Sequence, residues 1–191
     1  MNAFKVLLYS DGSHQAFSAA VYTAMLLKNM PNMQLTVVQV HEPDEVSAGK
    51  EYSWINTWPV TPTSEWMKHV LDESDAETKS EYHKILTKTN EIFLKSGFTV
   101  NHQELYANAE ISETVDVILN YATKNSFELI IMGTRGLSSL KGLIFGSLAH
   151  TVLNKSVIPV LLIKKLPQNF IDNYLSDTAG KGQYTKPYIV R

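Results

Sequence analysis

Nearly continuous apolar runs at 6–9, 35–40, 129–132 and 160–163 alternate with stretches in which apolar residues recur every three or four positions. Runs this short and unbroken bury both of their faces, as strands of a parallel sheet do, and the helical stretches between them provide the crossovers that parallel strands require. A weaker run at 98–106 contains Asn101, His102, Gln103 and Glu104, a composition suited to a sheet edge rather than its centre. The order reads βαβαβαβαβ. Such alternation implies right-handed crossovers, helices on both faces of the sheet, and ligands outside the carboxyl ends of the strands where the winding reverses. The first and fourth strands are expected to flank that crevice.

Local signals place the helices. Ser13 is a favourable N-cap for a first helix that aligns Phe17, Ala20, Val21, Ala24 and Leu27 on one side and is closed by Asn29 and Pro31. Tyr82, Ile85, Leu86, Thr89, Ile92 and Phe93 form the stripe of a second helix, stopped at Gly97. Val115, Ile118, Leu119 and Ala122 mark a third. A fourth is expected to start near Gly146 and carry Ala149, Val152 and Leu153 before Pro159 opens the last strand. Residues 42–63, with Trp54, Trp58, Pro59 and Pro62, are long for a strand-to-helix connection. They are expected to cover part of the crevice or meet a partner, or else to fold back with the tryptophans packed locally. The chain thus divides into a domain at 1–164 and a tail at 165–191. That tail holds Phe170, Tyr174, Leu175, Tyr184 and Tyr188, too many large apolar groups for a purely solvated extension, and is expected to dock on its own or a second subunit.

With 191 residues, one domain with a substantial core is expected. The absence of cysteine excludes disulfides, thiolate nucleophiles and cysteine-ligated metals. A net charge of -2 gives no global attraction to nucleic acid or an anionic membrane. The apolar run at 6–9 is shorter than a secretory or membrane-spanning segment, which gives the expectation of a cytoplasmic protein.

The segment that carries chemistry follows the third apolar run: Gly133, Thr134, Arg135 and Gly136, then Gly146 and Ser147. Glycines at a strand end let backbone N–H groups approach an anion, and a helix starting at Gly146 adds its own unpaired N–H groups and dipole. Ser147 adds a hydroxyl and Arg135 a charged fork. The same glycines also serve as ordinary turn punctuation, so the spacing by itself divides evenly between phosphate cradle and turn. Other chemistries find little support. His14, His41, His69, His83, His102 and His150 lack ligand-like spacing, so no zinc site is expected; His41, at the second strand end, is open to facing the crevice, with a solvent-edge position the commoner reading. The G-x-S-x-G elbow, the P-loop and G-x-G-x-x-G are absent, and Asp72, Glu73, Asp75 and Glu77 read as an acidic helix start.

The element order, the Tyr9-Ser10-Asp11-Gly12-Ser13 turn, the Gly133-x2-Gly136-x9-Gly146-Ser147 spacing and the ending Ser156-Val157-Ile158-Pro159-Val160-Leu161-Leu162-Ile163 resemble the universal stress protein family, in its ATP-binding branch. The resemblance covers roughly 1–41 and 80–164. It implies a doubly wound α/β fold of the adenine-nucleotide alpha-hydrolase type, with five parallel strands in the order 3-2-1-4-5. It further implies ATP, AMP or another adenine nucleotide as ligand, with Mg2+ or Mn2+, and a homodimer through the last strand. On this reading Asp11 is the ribose or metal-side acid beside Tyr9 and Ser10, and Val40 contacts adenine. Met132, Gly133, Thr134, Arg135 and Gly136 form the phosphate loop; Gly146, Ser147, Leu148 and Ala149 form the helix start. Leu148 and Ala149 stand where the family often has a hydroxyl or acidic group, leaving only backbone contacts there. Asp11 as a helix cap and Val40 as plain core are the competing roles. The expected function is regulatory ATP binding in a stress response. A nucleotide-free dimeric scaffold, a slow nucleotide hydrolase and an enzyme that releases pyrophosphate are the alternatives, although no water-activating base is apparent.

Overall fold

The computed structural model describes residues 2–43, 52–55, 76–108, 110–135 and 146–179. In chain order the elements are β1 (Phe4–Tyr9), α1 (His14–Asn29), β2 (Met33–His41), β3 (Tyr52–Ile55), α2 (Ala76–Lys95), β4 (Asn101–Tyr106), α3 (Ile111–Lys124), β5 (Leu129–Gly133), α4 (Ser147–Lys155), β6 (Val160–Ile163) and α5 (Gln168–Ala179). The sheet order is β3-β4-β2-β1-β5-β6. All neighbours are parallel except β3, which pairs antiparallel with β4. Leaving β3 aside, the parallel strands run 3-2-1-4-5, as expected.

Period-two alternation divides the core between the faces. Val6 and Leu8 of β1, with Leu35 and Val37 of β2, point to a cluster completed by Phe17, Ala20, Val21 and Ala24 of α1 and Ile92 and Phe93 of α2. Leu7 and Val38 point the other way, against Ile118 and Ala122 of α3. Val115, Met132, Ala149 and Val152 join α3, β5 and α4. All five stripe residues expected on α1 are buried, whereas Leu153 of α4 is exposed.

Two expectations need correction. Part of the 42–63 connection is a strand, and β4 therefore lies inside the sheet: Tyr52 and Ile55 stand opposite Glu104 and Asn101. His102, Gln103 and Glu104 are accordingly buried. Their polarity is accommodated by internal bonds: Gln103 Nε2 donates to the Glu104 carbonyl at 2.9 Å, and the Tyr106 hydroxyl to Glu104 Oε2 at 2.8 Å. Buried polar groups persist where such partners exist, and composition alone does not reveal them. The tail, expected to dock on its own or a second subunit, forms a helix, α5, with Ile171 and Tyr174 buried in the main cluster. Trp58, Pro59 and Pro62 of the connection, and Tyr184 and Tyr188 of the tail, lie outside the described residues.

Candidate functional site

The winding reverses between β1 and β5, where Val6, Leu7 and Leu8 pair with Leu129, Ile130 and Ile131. The chain leaves β1 toward β2 and β4 and later returns to β5 on the opposite side, the switch point at which open α/β sheets offer a crevice outside the carboxyl ends of their strands. Tyr9 is half-buried against the α3 side of the core, and Ser10 is buried, its N–H bonded to the Val38 carbonyl at 2.9 Å. Asp11 Oδ1 accepts the Ser13 N–H at 3.0 Å, closing a turn in which Gly12 takes a φ of 76°. Ser13 is the N-cap of α1, its Oγ accepting from the Ala16 N–H at 3.1 Å. Capping thus falls to Ser13, while Asp11 shapes the turn before it.

The two lips of the crevice are bonded together. Ser13 Oγ donates to the Arg135 carbonyl at 3.3 Å. The Thr134 N–H donates to the Ile163 carbonyl at 2.9 Å, and the Thr134 carbonyl accepts the Gly146 N–H at 2.8 Å. The Gly146 N–H is thus engaged by protein. Gly146 is the N-cap of α4 without a side-chain cap bond. Donors for an anion must therefore come from the first turn: exposed Ser147, half-buried Leu148 and buried Ala149. Met132, buried at the end of β5, floors this side. Gly136 lies outside the described residues.

Gly133 is required by packing. A Cβ there would stand 2.8 Å from Gln15 Cβ, 2.9 Å from the Gln15 carbonyl carbon and 3.0 Å from the Ala16 nitrogen. The first turn of α1 thus presses on the end of β5, a cause that sequence spacing does not separate from phosphate binding.

At the end of β2, Val40 is half-buried against the α3 side. His41 is buried rather than at a solvent edge. Its Nε2 stands 3.6 Å from Glu104 Oε1, and its ring centroid 6.2 Å from that of Tyr106. Burial lowers the His41 pKa to about 4, so the imidazole is neutral at pH 7. Burial raises that of Glu104, opposed by the Tyr106 hydroxyl bond. Beside these strand ends lies an open cavity of about 450 Å3 lined by Pro43, Tyr106, Asn108, Glu113, Asp116 and Asn120, among others. Its carboxylates are engaged, Glu113 by Asn108 at 2.7 Å and Asp116 by Lys155 at 3.0 Å. No sequence motif announces this cavity, because its lining comes from a loop, a strand end and alternate turns of α3.

Among the described residues, no group of three or more His, Cys, Asp or Glu side chains could hold a metal ion, and no helix is long and apolar enough to cross a membrane.

Comparison with known proteins finds a match to the model of the universal stress protein family over residues 3–164. Universal stress protein YxiE of Bacillus subtilis is 31% identical over 160 residues, spanning 84% of this chain and 98% of the relative. Among solved structures, universal stress protein UspA from Lactobacillus plantarum has a TM-score of 0.55 at 16% identity, covering 85% of this chain and 99% of that one. A universal stress protein in complex with cAMP has a TM-score of 0.52 at 17% identity, covering 87% and 100%.

Proposed function

The chain belongs to the universal stress protein family, and on that premise we propose that it is a regulatory protein that binds an adenine nucleotide, ATP with Mg2+ or Mn2+, in the β1–β5 crevice. The observation that carries this reading is the convergence there of the Asp11–Ser13 turn, the Gly133–Arg135 turn and the uncapped start of α4, held together by the Ser13–Arg135 and Thr134–Gly146 bonds. Free first-turn N–H groups and a helix dipole favour phosphate. Arg135 is placed to add charge, Asp11 lies at the ribose or metal side, and the end of β2 at Val40 takes the base. The cAMP complex of a similarly folded protein supports an adenine ligand. A divalent ion would draw most of its ligands from the phosphates and water, with Asp11 as the nearby carboxylate, because the described residues hold no ready-made cage. Its contribution would be to neutralise phosphate charge. A homodimer through the outer edge of β6 completes the reading, with a cytoplasmic location.

The decisive experiment is mass spectrometry of nucleotide released from freshly purified protein, with calorimetric titration of ATP and magnesium. The companion variant is Gly146→Asp. Gly146 has φ −66° and ψ 155°, ordinary extended backbone, and aspartate is a favoured N-cap. The substitution should therefore keep the helix while placing negative charge where phosphate is expected. Loss of ATP binding with an unchanged urea midpoint is the expected result. Unchanged affinity would remove the phosphate cradle. Folded wild-type protein with neither nucleotide nor heat would leave the interaction scaffold as the function.

A further inference from the structure

Helix α5 lies beyond the family match, which ends at residue 164, and follows on β6, whose last residue and the segment after it are bonded to the two lips of the crevice. The Ile163 carbonyl accepts the Thr134 N–H at 2.9 Å, on the β5 side. Three residues later the Leu166 N–H donates to Ser18 Oγ at 3.0 Å, and that hydroxyl donates to the carbonyl of His14, the first residue of α1, at 3.0 Å. Ser18 is buried, so water does not readily replace either bond. Beyond that segment, Ile171 and Tyr174 are buried among α1 and α2 side chains, Phe170 and Leu175 pack beside them, and the Tyr174 hydroxyl lies 3.4 Å from Ser96 Oγ.

We propose that α5 is a regulatory strap: docked on α1 and α2, it holds residues 163–166, and through them the Asp11–Ser13 and Gly133–Arg135 turns, in the arrangement that receives the nucleotide. A short helix whose buried side chains among the described residues are Ile171 and Tyr174 opens at lower cost than the sheet does. Docked and undocked states therefore differ at the lips while the strands stay intact. Coupling of this kind is reciprocal, so nucleotide in the crevice tightens α5 as much as docked α5 tightens nucleotide. The nucleotide half of the proposal rests on the function proposed above. The mechanical half, between α5 and the start of α1, does not.

The test uses the full-length chain as wild type, Ile171→Asp and Ser18→Ala, with amide hydrogen exchange and ATP–magnesium calorimetry on each. Ile171→Asp buries a charge and should release α5. Exchange at 168–179 then accelerates, and exchange at 13–18 rises about tenfold, with the interiors of β1 and β2 unchanged. Ser18→Ala keeps the apolar anchors and cuts the relay, so exchange at 13–18 should rise while α5 remains protected. Both variants should lose about fivefold in ATP affinity, and ATP should slow exchange at 168–179 in the wild type. If Ile171→Asp also accelerates exchange throughout β1 and β2, it has unfolded more than the strap, and Ser18→Ala decides. Free exchange of α5 with wild-type protection at 13–18, or unchanged protection there in Ser18→Ala, overturns the strap. Absence of ATP heat in the wild type overturns the nucleotide reading, while the exchange data still decide the mechanical coupling.

Discussion

Gly133 and His41 illustrate how far single residues can be read from sequence. The glycine was visible as a strand-end glycine, but the reason for it is the backbone of Gln15 and Ala16 within 3.0 Å of where a Cβ would stand. Gly133→Ala should therefore lower the unfolding free energy by about 1–3 kcal/mol through overpacking, measured by urea denaturation without nucleotide. A variant of wild-type stability would mean that α1 moves aside at little cost. For His41, burial lowers the pKa to about 4, against about 6.5 in an unfolded chain. Between those values the unfolded chain takes up a proton that the folded chain refuses, so His41 makes stability fall as pH is lowered from about 6.5 toward 4. Glu104, raised by burial, acts with the opposite sign, since the folded chain protonates first. His41→Gln should make stability fall less on acidification than in the wild type. Urea midpoints at pH 7, 5.5 and 4.5 compare the variant with wild type, and parallel pH profiles would refute the assignment.

Helix ends follow the same physics element by element. Helix α2 stops in a Schellman arrangement: Gly97 has φ 71°, its N–H bonds to the Leu94 carbonyl, and the Phe98 N–H bonds to that of Phe93. Helix α3 ends identically, with Ser126 N–H to Thr123 and Phe127 N–H to Ala122, but the left-handed position is held by Ser126 at φ 56°. A non-glycine residue is strained there. Ser126 is exposed and Phe127 supplies the accompanying buried contact, so Ser126→Gly should raise stability by about 0.5–1 kcal/mol, read as a higher urea midpoint with unchanged slope. No gain would place the strain elsewhere in the turn. The Gly97 stop was legible in sequence because glycine is the usual residue at that position. The Ser126 stop was not, because serine gives no comparable signal.

For the molecule as a whole, the sheet has two edge strands among the described residues, and on one side the edge is β3, paired only with β4. On the other, β6 has a neighbour only at β5 among the described residues, and Val157 just before it is 88% exposed, with Leu153 of α4 also exposed. An uncovered edge flanked by apolar groups is a surface for pairing. If the homodimer forms there, Val157→Lys should shift the assembly toward monomer by at least about fivefold in dissociation constant, measured by sedimentation over a concentration series. A wild-type chain that stays monomeric throughout the series would rule the dimer out.

The alternation of apolar runs with helical stripes determined the doubly wound fold, because burial on both faces makes most of the parallel strands nearly continuous apolar runs, with β4 the exception. The α1 stripe, the Ser13 cap and the Gly97 stop followed from local spacing for the same reason: their causes lie within a few residues. The tertiary structure alone decided that Gly133 serves α1, that the Gly146 N–H belongs to Thr134, that His41 and Glu104 share a buried end of the sheet, and that residues 163–166 join both lips of the crevice. Each of these depends on groups that chain folding brings together from separate elements. Sequence spacing records which groups are available, whereas packing distances and hydrogen-bond directions decide which of them meet.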